Sequence, residues 1–156
     1  MRTFMVNEKL RAACIRRAAV TDAVEIARLS AQFGHPVLVN DLRARITALS
    51  AMPSQYLAVA QGSGTNLVGW IQAERRLVLA TGERAELVGL VVDAAARRCG
   101  VGTLLVDAAQ QWALAAGLAE IIVRSNVARD ASHVFYRAVG YSRFKTQHVY
   151  SKSLLG

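Results

Sequence analysis

The chain is poor in the residues that staple, break or anchor a fold. Its two cysteines, Cys14 and Cys99, make no disulfide framework, and neither stands at a zinc-ligand spacing. Two prolines and the lack of any low-complexity tract leave no candidate linker, so 156 residues read as one domain. No apolar run approaches the roughly 18 residues of a membrane span, and residues 87–92 are only strand length. The N-terminal segment lacks the apolar stretch of a signal peptide, because Asn7, Glu8, Lys9 and Arg11 interrupt it. These absences predict a reduced, cytoplasmic protein with no membrane partner. Residues 1–12 are expected to form a flexible N-terminal arm, and residues 13–156 the domain. Acidic residues are also scarce, 11 against 19 basic, and only three of the basic ones are lysine. The arginines are scattered, and no basic run is interleaved with the few aromatics (6%), which argues against a nucleic-acid binder.

What is present is apolar mass and positive charge. Hydrophobic residues make up 53% of the chain, Ala alone 27 positions, and the net charge is +8. At this length a core can bury about two-thirds of the unfolded surface. The apolar spacing predicts a strand over residues 13–18 and a helix after Thr21, read as its N-cap, ending at Gly34-His35-Pro36. A second helix starts at Asn40-Asp41 and stops before Pro53. Strands follow over 56–61, 67–73 and 83–93, with 75–80 either continuing the second or bending away. A helix over 102–116 is stopped by Gly117, a short strand covers 120–124, and a helix over 130–139 is closed by Gly140. Residues 141–155 are read as one or two last strands. The order is β-α-α-β-β-β-α-β-α-β-β, a mixed α/β domain.

The most informative stretch joins the strand over 83–93 to the next helix, through Arg97-Arg98-Cys99-Gly100-Val101-Gly102-Thr103. The first turn of a helix leaves N–H groups unpaired, the helix dipole adds partial positive charge, and glycine lets an anion approach closely. The spacing suits a phosphate or pyrophosphate. It is not a dinucleotide-binding turn, because Leu105 stands where the third glycine is needed. It is not a P-loop, because no Gly-Lys-Ser/Thr closes it.

Arg97-x-x-Gly100-x-Gly102 after an apolar strand resembles the Gln/Arg-x-x-Gly-x-Gly/Ala signature of the GNAT superfamily of acyl-CoA-dependent N-acetyltransferases. Ser125-Asn126-Val127 and then Phe135-Tyr136-Arg-Ala-Val-Gly140-Tyr141 are similar to that family's Asn…Phe-Tyr-x-x-x-Gly-Phe/Tyr segment. The resemblance covers residues 14–155. It implies one α/β domain whose central, mostly antiparallel twisted sheet has six to seven strands and a splayed pair, flanked by about four helices. It implies acetyl-CoA as co-substrate, a small-molecule amine as acceptor, no metal, and a homodimer through the terminal strands. Leu90, Val91 and Val92 would bond the pantetheine arm through their main chain, Arg97, Arg98, Cys99, Gly100, Val101, Gly102 and Thr103 would hold the pyrophosphate, and Asn126 would contact the pantetheine or acyl end. Gly89 is consistent with a bulge that opens the splay.

The implied chemistry is attack of an amine on a thioester. At pH 7 an ammonium of pKa about 10.4 is free base in only about one part in 2,500, a handicap of roughly 4–5 kcal/mol that a base or a desolvated site must offset. Glu86, on an apolar strand 11 residues before Arg97, is the candidate base; the bland alternative pairs it with Arg84 or Arg75. Tyr136 is the candidate acid for the departing thiolate, with a core-packing tyrosine as its alternative. His133, one turn earlier, is read as a surface or capping residue. Around the first two helices only Asp22, Glu25 and Asp41 oppose Arg28, Arg43 and Arg45, so charge favours a neutral or anionic acceptor. The segment 125–136 also looks like aminoalkylphosphonate N-acetyltransferases. A silent CoA-binding domain and an aminoglycoside or peptide N-acetyltransferase are the competing readings.

Overall fold

The computed structural model describes residues 13–156, and the arm expected at residues 1–12 lies outside them. Two compact units divide the chain at Arg124 and Ser125.

The first unit is built on five strands: β1 (Cys14–Arg17), β2 (Gln55–Gln61), β3 (Leu67–Val78), β4 (Gly82–Val92) and β5 (Ile121–Val123), in the spatial order β1-β2-β3-β4-β5. The first three pairings are antiparallel and the last, β4 with β5, is parallel. A parallel pair needs a crossover, and helix α3 (Val101–Ala115) supplies it. Helices α1 (Ala23–Gln32) and α2 (Val39–Ser50) connect β1 to β2. Side chains alternate across the sheet as the pleat requires. Leu57, Val59 and Val91 join Ile26, Leu29 and Ile46 in one core cluster with α1 and α2. Ala85 instead packs with Ala113 and Leu118, and Tyr56 stacks on Trp112 of α3, rings 5.5 Å apart. The sheet therefore carries α1 and α2 on one face and α3 on the other.

Helix α1 does not start at Thr21. A short 3-10 turn over Val20–Asp22 precedes it, and Asp22 accepts the Ala19 N–H at 2.8 Å while Arg16 donates two bonds of 2.8 Å to the same carboxylate. A carboxylate that can satisfy a backbone donor and an arginine together outcompetes the threonine hydroxyl. Strand β3 runs unbroken to Val78, so residues 75–78 continue it and pair with Gly82–Ala85 of β4 across a tight turn.

The second unit contains helix α4 (Asp130–Ala138), the fourth α-helix, closed by Gly140 at φ +97°. The one or two strands expected over 141–155 are absent, so the sheet has five strands rather than six or seven. The pattern there is strand-compatible, but a strand exists only where a neighbour completes its hydrogen-bond ladder. No such pairing is present among the described residues, and Tyr150 is 89% exposed.

Candidate active site

Strand β4 builds the centre of the site in the first unit. Opposite β3, Gly89 pairs with Gln72 but Leu87 pairs with Ala73, so Val88 is an extra residue and the strand bulges there. On its other side β4 meets β5 only at Ala85, Glu86 and Leu87. Beyond Leu87 that edge has no strand partner among the described residues, because β5 is only three residues long. Alternation fixes what the edge offers. The Asp93 N–H bonds Val68 O at 2.8 Å, so Asp93 and Val91 turn their polar groups toward β3. Leu90 and Val92 turn theirs to the open edge. Of the three residues expected to offer main-chain contacts, Val91 is committed to the ladder.

After β4 the chain makes a 3-10 turn (Ala94–Ala96) and then the loop 97–100 expected to meet an anion. Arg98 adopts φ +62° and Gly100 φ +82°, and α3 starts at Val101. A non-glycine residue at positive φ is uncommon and accumulates at binding sites, because surrounding contacts must hold it. The start of the loop is held from α1. Arg28 pairs with Asp93 at 3.0 Å and with Glu25 at 2.9 Å and donates to Leu67 O, while Gln32 accepts the Ala94 N–H at 3.0 Å. Asp93 also accepts the Ala95 N–H. Burial alone would raise the Asp93 carboxyl, but the Ala95 N–H and Arg28 outweigh it and hold it below its ordinary value. The loop is thus braced at its start. Arg97 and Arg98 are exposed and make no ion pair among the described residues, and a β-carbon at Gly100 would meet nothing within 4 Å. Free guanidinium groups, an open helix start and an unpartnered strand edge fit a ligand that carries a pyrophosphate and an amide-bearing arm. Cys99 donates to Arg97 O at 3.5 Å inside the loop.

Glu86 is buried, 5% exposed, on the same face of β4 as Gly89 and Val91. Arg76 binds its Oε2 at 2.6 Å and Arg124 lies 3.4 Å from its Oε1. The partners are neither Arg84 nor Arg75, which pairs with Glu83 at 2.7 Å. A polar row continues along this face: Arg76 lies 3.5 Å from Glu74, Gln55 donates to Glu74, and Gln72 donates to Gln55 at 3.0 Å.

Between α1, α2 and the strands β3 and β4 lies a cavity of about 300 Å³. Its floor is Trp70, Gln72 and residues 88–91, and its wall includes Phe33, His35, Leu42 and Arg45. No aspartate or glutamate among the described residues lines it. Sequence reading missed Trp70 and Gln72 as lining residues, whereas His35 lies in the loop 32–41 that it expected to frame the acceptor. The signal for Trp70 is its registration opposite Val91 beside a bulge, which needs the strand pairing to be known.

In the second unit, Asn126 closes a local turn: its Oδ1 accepts the Ala128 N–H at 2.9 Å, and His133 Nε2 lies 3.0 Å from its carbonyl oxygen. His133 therefore braces this turn. Tyr136 packs edge-on against Tyr141, 5.7 Å between ring centres, and against Phe135 at 5.2 Å. Burial, then the neighbouring Tyr141, pushes the Tyr136 phenol up to about 12. It is a neutral hydrogen-bond donor across the physiological range.

No group of three or more His, Cys, Asp and Glu side chains able to hold a metal ion occurs among the described residues. No helix among them is long and apolar enough to cross a membrane. The profile of the family described as Acetyltransferase (GNAT) family matches residues 20–141. No curated protein matches the chain. Among solved structures, the aminoglycoside 6'-N-acetyltransferase AAC(6')-Ih from Acinetobacter baumannii is 20% identical, TM-score 0.78, covering 93% of this chain and 100% of that one. AAC(6')-Iy in complex with a CoA-S-monomethyl-acetylneamine bisubstrate analogue is 22% identical, TM-score 0.79, covering 90% of this chain and 98% of that one. A putative acetyltransferase from Agrobacterium tumefaciens is 22% identical, TM-score 0.78, covering 89% and 99%.

Proposed function

Because the chain belongs to the acetyltransferase (GNAT) family, with acetyl-CoA as its co-substrate, we propose that it acetylates the primary amine of a small neutral or anionic molecule by direct attack on the thioester. The observation that carries this choice of acceptor is the cavity beside β4, which has no carboxylate among the described residues of its lining. An aminoglycoside is a polycation and calls for a cluster of acidic side chains, so the likeness to aminoglycoside acetyltransferases speaks for the fold and not for the acceptor.

In this reading Leu90 and Val92 offer main-chain groups to the pantetheine arm beside Val91. Residues 97–103 hold the pyrophosphate, and Asn126 contacts the arm through the side-chain amide that its turn leaves uncommitted. An N–H of the open edge stabilises the developing oxyanion. Glu86 takes the ammonium proton through a water, with Arg76 and Arg124 fixing its orientation. The amine nitrogen then bonds the acyl carbon, the carbon–sulfur bond breaks, Tyr136 donates its proton to the thiolate, and the second proton shed by the nitrogen as it becomes an amide restores the phenol through water. A neutral phenol suits that last role.

The test is a panel with acetyl-CoA in which release of free CoA is followed for neutral amines, amino acids, aminophosphonates and neamine. Turnover of one of the first three classes, with none of neamine, is expected. Turnover of neamine alone overturns the assignment of the acceptor. Loss of less than about threefold in kcat in Glu86→Gln removes Glu86 as the base.

A second copy of the chain is the proposed macromolecular partner. Phe144, Val149, Tyr150, Leu154 and Leu155 are all at least 65% exposed in an extended segment, an unusual display of apolar side chains that pairing would cover. Sedimentation of the full chain is expected to give a dimer.

A further inference from the structure

We propose that Arg45 is the anchor for an anionic group of the acceptor, and that the acceptor is an amine carrying a carboxylate or phosphonate on an apolar, aromatic-sized frame. The proposal rests on the acetyltransferase reading and deepens it by naming the acceptor's chemistry. Arg45 projects from α2 into the lining of the cavity beside β4. The surrounding arginines are already engaged. Arg28 is shared between Glu25 and Asp93, Arg43 donates to Asn40 at 2.9 Å, and Arg75 and Arg76 pair with Glu83 and Glu86. Arg45 has no hydrogen bond or ion pair among the described residues, and no acidic side chain lines the cavity to provide one. A free guanidinium at a cavity lined mainly by apolar groups, with Ser30, His35 and Gln72 as its neutral polar ones, is complementary to a planar or tetrahedral oxyanion, which its paired N–H donors bind bidentately.

The rest of the cavity sets the frame. Phe33, Leu42 and Trp70 give broad apolar surfaces, and Gly89, having no β-carbon, lets the indole lie against β4. About 300 Å³ is at the small end of ligand cavities, enough for one ring with short substituents and too small for several linked sugars.

The experiment compares acid-bearing probes with acid-free counterparts on the same frame. L-phenylalanine is set against 2-phenylethylamine, and 4-(aminomethyl)benzoic acid against benzylamine, so that the acid is offered both beside the amine and across the ring. With acetyl-CoA and the full chain, at least one acid-bearing probe is expected to exceed its counterpart about tenfold or more in kcat/KM, as for a charge-assisted pair at a partly solvated site. In Arg45→Leu that ratio should fall to near one, mainly through KM, and in Arg45→Lys it should be partly restored. A general loss of structure would lower both members of a pair alike, so the ratio isolates the anchor. Equal or better turnover of the acid-free amines by the unaltered protein, or a ratio unchanged in Arg45→Leu, overturns the proposal. Binding of acetyl-CoA, seen as a thermal shift, without turnover of any acid-bearing probe overturns it too. Absence of any acetyl-CoA binding instead sinks the acetyltransferase reading itself.

Discussion

Gly89 lies directly under the indole of Trp70: a β-carbon there would stand 2.6 Å from Cζ3 and 2.8 Å from Cη2. The contact forms because the bulge at Val88 brings Gly89 into register with Gln72, beside the pair Trp70 and Val91. Gly89→Ala must therefore push the ring into the cavity or push β4 off β3. Overpacking of this kind costs about 1–3 kcal/mol, so Tm should fall by roughly 3–10 °C for a chain of this size. The chain has two tryptophans, Trp70 and Trp112, and the fluorescence emission should shift because Trp70 changes its surroundings. KM for the acceptor should rise more than KM for acetyl-CoA. An unchanged emission spectrum together with an unchanged Tm would show that the ring has room to move.

Arg28 braces the start of the loop proposed to hold the pyrophosphate. It touches Asp93, Glu25 and the Leu67 carbonyl, and Asp93 in turn caps the turn that leads to Arg97. Arg28→Ala is expected to raise KM for acetyl-CoA about three- to tenfold with kcat nearly kept, because a loosened loop weakens cofactor binding without touching the reacting atoms. Arg28→Lys should recover only part of the loss, since one ammonium cannot reproduce the fork that reaches three acceptors. A fall in kcat with KM unchanged would place Arg28 in the chemistry instead.

The parts of this fold that announce themselves in sequence are those set by short-range physics. The helix starting near Asn40, the turn at Gly100, the stop at Gly117 and the strand preceding Asp93 all follow from caps, glycine and periodicity within a few residues. What was not legible depends on partners far away in the chain. Thr21 does not cap α1 because it lies inside the 3-10 turn that Asp22 and Arg16 of β1 hold. The polar row of Gln55, Gln72, Glu74 and Glu86 exists only once three strands are in register. The arginines that hold Glu86, Arg76 and Arg124, come from β3 and from the end of β5, and proximity along the chain pointed to Arg84 instead. The residues 141–155 have the pattern of a strand and no ladder, because pattern specifies a face and not a neighbour.

Tyr136→Phe removes only a hydroxyl from a ring packed between Phe135 and Tyr141. A ring kept in place should leave KM for acetyl-CoA within about twofold, whereas loss of the proton donor should lower kcat by about 10²-fold or more. The pH dependence separates donor from packing. Burial raises the phenol to about 12 in the folded chain against about 10 unfolded, so the unfolded state ionises first. Its contribution to stability is complete below pH 10 and declines as the pH rises from about 10 toward 12. Wild type should therefore lose stability faster than Tyr136→Phe over that window in denaturant titrations. Equal slopes, or a kcat within threefold of wild type, would leave Tyr136 a packing residue.

Asp22 offers the opposite sign. Arg16 donates two bonds to it, the Ala19 N–H adds a third, and these outweigh burial to hold the carboxyl below its ordinary value. The unfolded chain therefore takes up a proton at a higher pH than the folded one, so stability from this group is full above about pH 4 and is lost as the pH falls through the lower folded-state value. Asp22→Asn keeps the size but cannot accept both arginine nitrogens with a full charge. Charge-assisted bonds to a partly exposed arginine suggest a loss of about 1–3 kcal/mol at pH 7. Denaturant midpoints of the two proteins should differ at pH 7 and converge as the pH falls through the lowered folded-state value, because protonation makes the wild-type carboxyl resemble the amide. A gap that persists unchanged at acid pH would mean that the Asp22 side chain acts through shape and not through its charge.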